Sequence, residues 1–342
     1  MTDILIYNLP YAAYTEKLYE IARRGLPDVS PGLLHHSSDT GANLTDKLLT
    51  GLKIAVSTND SSAVKTYVTD LLDWELSIFP LAKEGIMQDG SFQQHAALLY
   101  NGSYGTVFVG DVNKLLDSLK NTEYMVSDNA VKVYTDFILD GQQYMFRNNT
   151  FDFGTAGRAI SRQNAISTGI KNGVSGAVNV LLSLPLTYRK AELETLRSNR
   201  LAATDNQTNM AKHFWVSDFT VAHRPDYYVS VRGASTRMKK TEYMNGENIK
   251  GYFLADGATV ILKDGTEYNN IYPVWDWNKI PGTTSIQADS IPAVAAEYGG
   301  SKFVGGLAYQ NMAISAVRLV NTRAATQLSA KKAYFIFDEG FM

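Results

Sequence analysis

The spacing of apolar residues changes once along this chain, and that change most constrains the fold. Up to about residue 200, apolar residues recur every three or four positions, a pattern that predicts amphipathic helices. After residue 203 the apolar runs become short and rich in β-branched and aromatic residues, with turn pairs such as Asp256-Gly between them, which predicts strands. We find no alternation of strands and helices that would indicate a parallel sheet. The sequence therefore predicts an α+β chain, helical over residues 1–203 and antiparallel β over residues 204–342.

Individual elements follow from the same periodicities. Helices are predicted at 14–26, 44–56, 63–78, 107–119, 129–147, 163–182 and 189–202, and strands at 214–221, 227–232 and 260–262. Asp60 and Ser127 precede two of these helices and are expected N-caps, because their side chains can accept a hydrogen bond from a free backbone N–H.

Composition excludes several classes of function. The 342 residues suggest two domains, and a net charge of -2 provides no overall field that would attract nucleic acid or an anionic membrane. The chain has no cysteine, so disulfides, thiolate nucleophiles and Cys-ligated zinc are excluded. Phosphate-loop, dinucleotide-binding, zinc-protease and serine-hydrolase motifs are also absent. The chain has no run of 18 apolar residues, so no membrane span is predicted. Residues 1–12 do not resemble a signal peptide.

His95 and Tyr104 lie nine positions apart around a glycine turn. An imidazole and a phenol together can transfer protons without a metal or cofactor. The alternative is structural, since a single His is usually a packing residue and Tyr104 could be a buried turn aromatic. Asn43 lies in a turn just before a predicted helix, where an Asn is most often an N-cap. A functional role for Asn43 is the less common alternative.

The remaining candidates combine charged and aromatic residues. Arg158 and Arg162 would share one face if they open a helix, which suits recognition of a carboxylate or sulfate, although a solvated basic face is the more common outcome. Glu247 could be a general acid or an arginine partner, or only a turn residue. Trp275 and Trp277 point the same way on a strand, as core residues or as a platform for sugar rings.

Five segments, in order, resemble one family. They are TGAN (40–43), DGSFQQH through YNGSYG (89–105), GRAISR (157–162), NGEN (245–248) and PVWDWNKIPGTT (273–284). Together they resemble the polysaccharide lyases that include chondroitin AC, hyaluronate and xanthan lyases, and most of all the chondroitin AC branch. The resemblance implies an incomplete α/α toroid followed by the start of an antiparallel β super-sandwich. It also implies β-elimination of an acidic polysaccharide.

The resemblance also assigns roles to residues. Asn43 and His95 match the pair that neutralises the uronate carboxylate, and Tyr104 matches the phenol that carries the proton. Arg158 close to Tyr104 would favour the ionised phenol. Glu247 matches a glutamate of the β part that would orient Arg158.

Further predicted site residues complete this set. Arg162 matches the second arginine of the site, and the predicted substrate contacts are Asn248, Trp275 and Trp277. No organic cofactor is expected, and a structural calcium ion in the β part is left open without a clear ligand cluster. The expected partner is an acidic polysaccharide, with neither nucleic acid nor membrane, and the protein is expected to be a monomer.

The chain departs from the family pattern at both ends. The family's Trp-Trp platform lies upstream of TGAN, yet residues 1–39 contain no Trp. We therefore expect an internal fragment of a longer protein that is secreted or periplasmic in its full-length form. Two other functions stay open: a non-catalytic protein that binds acidic glycans, and an α-toroid glycoside hydrolase using two carboxylates such as Asp89 and Asp152.

Overall fold

The computed structural model describes residues 39–342 except 58, 82, 168–169, 202–207, 287–289 and 322–327. Helices dominate to Leu201, and from Met210 onward the regular structure is almost entirely β-strand. The predicted order of a helical part and an antiparallel β part is therefore observed. The predicted helix at 14–26 lies outside the described residues.

The helical part contains α-helices that are repeatedly interrupted by wider or tighter turns. The α-helices are Gly41–Ser57, Ser61–Ala63, Asp70–Glu75, Tyr104–Leu119, Asp128–Asp136, Ser175–Ser183 and Lys190–Leu196. The π-helical segments are Val64–Thr69, Phe137–Gly141, Ile170–Val174 and Arg197–Leu201, and the 3-10 turns are Gln142–Met145, Phe153–Thr155 and Gly157–Ser161; a further 3-10 turn, Gly251–Phe253, lies in the β part. Both predicted caps are confirmed: Asp60 accepts from the Ala63 N–H at 2.9 Å and Ser127 from the Ala130 N–H at 3.2 Å.

A small sheet inside the helical part was not predicted. Its strands, in spatial order, are β1 (Ile78–Phe79), β2 (Gly85–Met87), β3 (Phe92–Gln94) and β4 (Leu98–Leu99). β1 and β2 pair in parallel over two residues, whereas β2, β3 and β4 pair antiparallel. Strands of two or three residues are too short to create a period-two pattern, and β2, β3 and β4 are buried along their whole length, which removes the alternation.

The β part consists mainly of two four-stranded antiparallel sheets. Its strands are β7 (Met210–Phe214), β8 (Phe219–His223), β9 (Tyr228–Arg232), β10 (Lys239–Glu242), β11 (Ala258–Leu262), β12 (Ala296–Tyr298), β13 (Val304–Tyr309), β14 (Met312–Asn321), β15 (Leu328–Phe337) and β16 (Gly340–Phe341). One sheet has the order β11-β9-β8-β7 and the other β13-β14-β15-β16, while β10 pairs with β12. The hairpin of β5 (Phe146–Arg147) and β6 (Thr150–Phe151) lies in the helical part.

The predicted strand at 214–221 is in fact a hairpin. β7 ends at Phe214 and β8 begins at Phe219, with the two strands paired in antiparallel register. Asp218 has a φ of 52° and Trp215 is 54% exposed in the connecting turn. The periodicity could not separate the two strands because the turn itself carries the apolar residues Trp215 and Val216.

The helical and β parts are joined through buried polar groups. The carboxylate of Asp152 accepts hydrogen bonds from the Gly154 N–H at 2.7 Å, from the Tyr228 hydroxyl at 2.8 Å and from Ser230. Arg232 of β9 donates to the Gly154 carbonyl at 2.5 Å. These bonds hold the loop that leads to Gly157–Ser161 against the β part, so residues from both parts meet at one place.

Candidate active site

Four of the predicted site residues come from four separated segments, which the fold brings together. His95 directly follows β3, and Tyr104 is the first residue of the Tyr104–Leu119 helix. Arg158 lies in the 3-10 turn Gly157–Ser161 of the helical part. The β part contributes the end of β10 and the turn that follows it, which contains Glu247.

The rings of His95 and Tyr104 are in direct contact. Their centroids lie 4.9 Å apart with an interplanar angle of 68°. His95 and Ala96 both adopt left-handed backbone conformations, with φ of 55° and 65°, which cost free energy for residues other than glycine. Lys239 stabilises this bend, because its ammonium group donates to the His95 carbonyl at 2.7 Å and its backbone N–H donates to the Ala97 carbonyl at 2.8 Å.

Glu242, the last residue of β10, connects the site and was not predicted. Its carboxylate contacts His95 Nδ1 at 2.5 Å, accepts from the Tyr100 hydroxyl at 2.5 Å and accepts from Arg158 Nη1 at 2.8 Å. Only 4% of its side chain is exposed. The sequence offers little signal for it, since a glutamate at the end of a short polar strand normally faces solvent.

The protonation of this cluster follows from its donors. Burial raises the pKa of Glu242, but hydrogen bonds from His95, Tyr100 and Arg158 more than offset burial and hold the pKa at about 2. Glu242 is thus ionised and can only accept. Because an ionised carboxylate can only accept, the 2.5 Å contact assigns a hydrogen to His95 Nδ1, and this N–H donates a hydrogen bond to Glu242. The other ring nitrogen, Nε2, has no hydrogen-bond partner among the described residues.

Two tyrosines lie beside His95 and differ in their environment. Tyr100 is fully buried, and its hydroxyl donates to Glu242. Its pKa is raised, mainly by burial and to a lesser extent by the nearby Glu242 charge. The Tyr104 hydroxyl oxygen instead accepts a hydrogen bond from Arg158 Nη2 at 3.0 Å. In the described part of the chain no group accepts the Tyr104 proton, and this side chain is half-buried. Tyr104 is therefore the phenol that can exchange a proton with a ligand.

Arg158, Arg162 and Glu247 form a linked ion cluster at the edge of the site. Arg158 Nε donates to Glu247 at 2.8 Å, and Arg162 donates to the same carboxylate through Nε at 2.5 Å and Nη2 at 2.9 Å. The predicted pairing of Glu247 with Arg158 is therefore observed. The helix that would have placed both arginines on one face is absent here, because the 3-10 turn ends at Ser161 and Arg162 is extended.

Asn43 lies in the first turn of the Gly41–Ser57 helix and is exposed. The N-cap reading is wrong, because the helix begins two residues earlier and its first N–H groups bond to other side chains. Gly41 donates to Glu75 and Ala42 donates to Gln94. Among the described residues, nothing forms a hydrogen bond with the Asn43 side chain, which leaves its amide open to a ligand.

The predicted substrate contacts need correction because two of them are buried. Asn248 is 3% exposed and donates to the Glu242 carbonyl at 2.9 Å, so it supports the end of β10 rather than a glycan. Trp277 is 2% exposed, and its indole N–H donates to the Tyr272 carbonyl at 2.9 Å. Trp275 is half-buried against Trp277, at 5.3 Å between centroids. Both tryptophans lie in a loop and pack on the core, so the core reading is correct for Trp277.

Neither a metal site nor a membrane span is evident in what the structure describes. Over residues 39–342, less the gaps given above, no group of three or more His, Asp or Glu residues is placed to hold a metal ion. None of the helices in that same part is both long and apolar enough to cross a bilayer.

We expect the free energy of unfolding to depend on pH through Glu242. The pKa of this carboxyl is about 2 in the folded protein against an ordinary 4.5. A carboxyl with a lowered folded pKa contributes stability that is present above the unfolded pKa and lost as pH falls through the folded pKa. The free energy of unfolding measured in urea should therefore fall more steeply for wild type than for Glu242→Gln between about pH 4.5 and about pH 2. If the free energy of unfolding falls with pH equally steeply in both proteins, Glu242 is not the group responsible.

Gly157 should not tolerate a side chain. Its φ is 54°, and a Cβ there would lie 2.1 Å from the ring of buried Tyr100. We expect Gly157→Ala to lower the free energy of unfolding by about 2–4 kcal/mol, from left-handed backbone strain and overpacking. Gly110→Ala is the control, because nothing lies within 4 Å of its Cβ position in the Tyr104–Leu119 helix. Denaturant unfolding should show the control unchanged or more stable, and equal losses would refute the packing argument.

Comparison with known proteins covers nearly the whole chain. The family model described as polysaccharide lyase family 8, N terminal alpha-helical domain, matches residues 4–199, and the model described as polysaccharide lyase family 8, super-sandwich domain, matches residues 209–342. A curated chondroitinase-AC from Pedobacter heparinus is 31% identical over 96% of this chain and 45% of its own length. Hyaluronate lyase HylB from Enterococcus faecalis is 26% identical over 87% of this chain and 34% of its own.

A solved structure of a chondroitinase AC lyase is similar to this chain in its three-dimensional fold. Its TM-score is 0.81 with 30% identity, over 96% of this chain and 47% of the solved chain. The predicted fold class, a helical domain followed by a super-sandwich domain, is confirmed. This chain spans less than half the length of these relatives.

Proposed function

The chain belongs to polysaccharide lyase family 8, and we propose that it cleaves a uronic-acid-containing glycosaminoglycan of the chondroitin type by β-elimination. One observation carries the proposal above all. The Tyr104 hydroxyl oxygen accepts a hydrogen bond from Arg158, while its proton has no acceptor among the described residues. The relatives named chondroitinase-AC and hyaluronate lyase support a glycosaminoglycan as the substrate class.

The chemical difficulty is the removal of the proton on C5 of the uronate. This carbon lies next to a carboxylate, and a carbanion beside a full negative charge is very unfavourable. Asn43 and His95 would donate hydrogen bonds to the carboxylate and stabilise the aci-enolate that forms, which is the role of an oxyanion hole. The open amide of Asn43 and the open Nε2 of His95 are consistent with this role.

His95 needs a counterion to act as a donor from Nε2. Nδ1 already donates its proton to Glu242, so a second proton on Nε2 makes the ring an imidazolium. The ionised Glu242 balances that charge at 2.5 Å. The substrate carboxylate would then complete a chain of alternating charges running from Glu242 through His95 to the uronate.

Tyr104 would carry the proton. As a phenolate held by Arg158, its oxygen takes the C5 proton, and the electrons of the C–H bond form the aci-enolate. The C4–O4 bond then breaks, the electrons of the enolate form the C4=C5 double bond, and Tyr104 returns its proton to the departing O4. The products are an unsaturated uronate and a neighbouring sugar with a free anomeric hydroxyl, because O4 departs on that sugar's C1, and Tyr104 is again a phenolate.

Within the described residues, the two carboxylates of the site do not suit the hydrolase alternative. Such enzymes require an acid whose pKa is raised beside a second carboxylate in the substrate groove. Glu242 has a pKa of about 2, and hydrogen bonds from Arg162 lower the pKa of Glu247. Asp89 and Asp152 are buried and bonded to neighbouring backbone and hydroxyl groups, so neither faces a groove.

A direct assay separates the proposed function from its alternatives. The protein is incubated with chondroitin sulfate, and near-ultraviolet absorbance and new reducing ends are followed together. Absorbance from unsaturated uronate supports elimination. New reducing ends without absorbance would indicate hydrolysis, and binding without either signal would indicate a glycan-binding protein.

Asn43→Ala should lower kcat more than it raises KM. The amide is expected to bond more strongly to the enolate than to the ground-state carboxylate, so its loss removes transition-state stabilisation. We expect kcat to fall by about 10²-fold, as for loss of one oxyanion donor. Steady-state kinetics on chondroitin sulfate measure this, and an increase in KM at constant kcat would assign Asn43 to binding alone. An unchanged melting temperature should accompany the loss, because the side chain is exposed.

A further inference from the structure

The start of the Gly41–Ser57 helix is attached to the segment that carries His95. The side chain of Gln94, the residue before His95, accepts from the Ala42 N–H at 3.0 Å and donates to the Thr40 carbonyl at 3.3 Å. Gln94 is fully buried. The Gln94 side-chain amide thus bonds to the turn that carries Asn43, while the Gln94 backbone is joined directly to His95.

Glu84 completes the connection from the other side of His95. Its carboxylate accepts from the Ala96 N–H at 3.1 Å, from the Thr40 hydroxyl at 2.9 Å and from the Gln94 side-chain amide. Ala96 is one of the two residues held in a left-handed conformation. The bond to its N–H therefore helps to maintain a backbone shape that costs free energy when unsupported.

We propose that Glu84 and Gln94, the Glu84–Gln94 brace, are positioning residues that set the distance between Asn43 and His95. The inference rests on the proposed function, because it is the uronate carboxylate that must contact both side chains. The brace bonds to the N–H of Ala42, the residue before Asn43, and to the N–H of Ala96, the residue after His95. A displacement of about 1 Å between catalytic groups costs on the order of 10²-fold in rate, so such a connection has a large effect without substrate contact.

The brace predicts a chemical signature that simple loss of structure does not. A carboxylate substrate needs Asn43 and His95 at the correct spacing, since its enolate would otherwise carry uncompensated charge. In a substrate whose uronates are methyl esters, the C5 proton is more acidic and the carboxylate charge is absent. Loosening the brace should therefore slow elimination from the acid much more than from the ester.

The test compares two adjacent buried glutamines. Gln94→Met keeps the length of the side chain but removes the bonds to Ala42, Thr40 and Glu84. Gln93→Met is the matched control, because Gln93 is equally buried on the same strand but donates to Ser217 of the β part at 3.0 Å. Rates are measured for wild type and both variants on chondroitin and on its uronate methyl ester.

We expect Gln94→Met to reduce kcat on the acid by about 10- to 100-fold and on the ester by about threefold or less. Gln93→Met should leave the ratio of acid to ester rates as in wild type. Equal losses on both substrates, or the same change in both variants, would overturn the proposal.

Amide exchange keeps the brace testable if wild type eliminates neither substrate, a result that would overturn the proposed function alone. Hydrogen–deuterium exchange of the Ala42 N–H should then be about tenfold or more faster in Gln94→Met than in wild type and Gln93→Met. Equal exchange in all three proteins would overturn the brace.

Discussion

Tyr104→Phe is expected to abolish elimination while leaving substrate affinity nearly intact. The substitution removes only the hydroxyl that would take the C5 proton and return it to O4, and no other described group is placed to do both. We expect kcat to fall by about 10³-fold or more, with KM within about twofold of wild type. Formation of unsaturated uronate measures kcat, and binding of chondroitin sulfate to the variant confirms that the site is intact.

Tyr100→Phe is the matched control for this prediction. It removes a hydroxyl from the neighbouring ring, 5.0 Å away between centroids, but that hydroxyl donates to Glu242 and is buried. Its loss should reduce the free energy of unfolding by about 1–3 kcal/mol and reduce turnover far less. Retention of about a tenth or more of wild-type kcat by Tyr104→Phe would exclude Tyr104 as the proton carrier.

Glu242→Ala is expected to damage both stability and activity. Arg158 would lose its buried counterion, and His95 Nδ1 and the Tyr100 hydroxyl would lose their acceptor. Removing one partner of a buried ion pair costs about 3–5 kcal/mol, so we expect a fall of that size in the free energy of unfolding. We also expect kcat to fall by about 10²-fold or more, because neither the orientation of the His95 ring nor the position of Arg158 is maintained.

Glu247→Ala is the comparison for the stability part of this prediction. Glu247 also pairs with Arg158, but a quarter of its side chain is exposed and its other partner, Arg162, is 51% exposed. Partly exposed pairs contribute about 1 kcal/mol or less. Urea unfolding should therefore show a clearly smaller loss for Glu247→Ala than for Glu242→Ala, and equal losses would contradict the central place of Glu242.

The candidate site was predictable where the chemistry of single residues is distinctive. His95, Tyr104 and the two arginines were selected because their groups can transfer protons or bind anions and because they lie in segments that resemble the family, although each alone is more often structural. Glu242 and Gln94 could not be selected, since their importance comes from burial and from partners that lie tens of residues or more away along the chain. The prediction that Trp277 contacts substrate failed for a different reason, because an aromatic residue looks the same in sequence whether it packs in the core or binds a ligand.

The sequence alone determined the order of a helical and a β part, two helix caps and the residue types of the site, since period, capping and side-chain chemistry are local properties. Only the tertiary structure decided that β3 and its neighbours form a sheet within the helical part and that residues 214–221 turn back on themselves. It also decided that Glu242 of the β part reaches His95, Tyr100 and Arg158 of the helical part. The physical reason is that a buried charge is tolerated only where several partners converge, and that convergence comes from packing between the two parts.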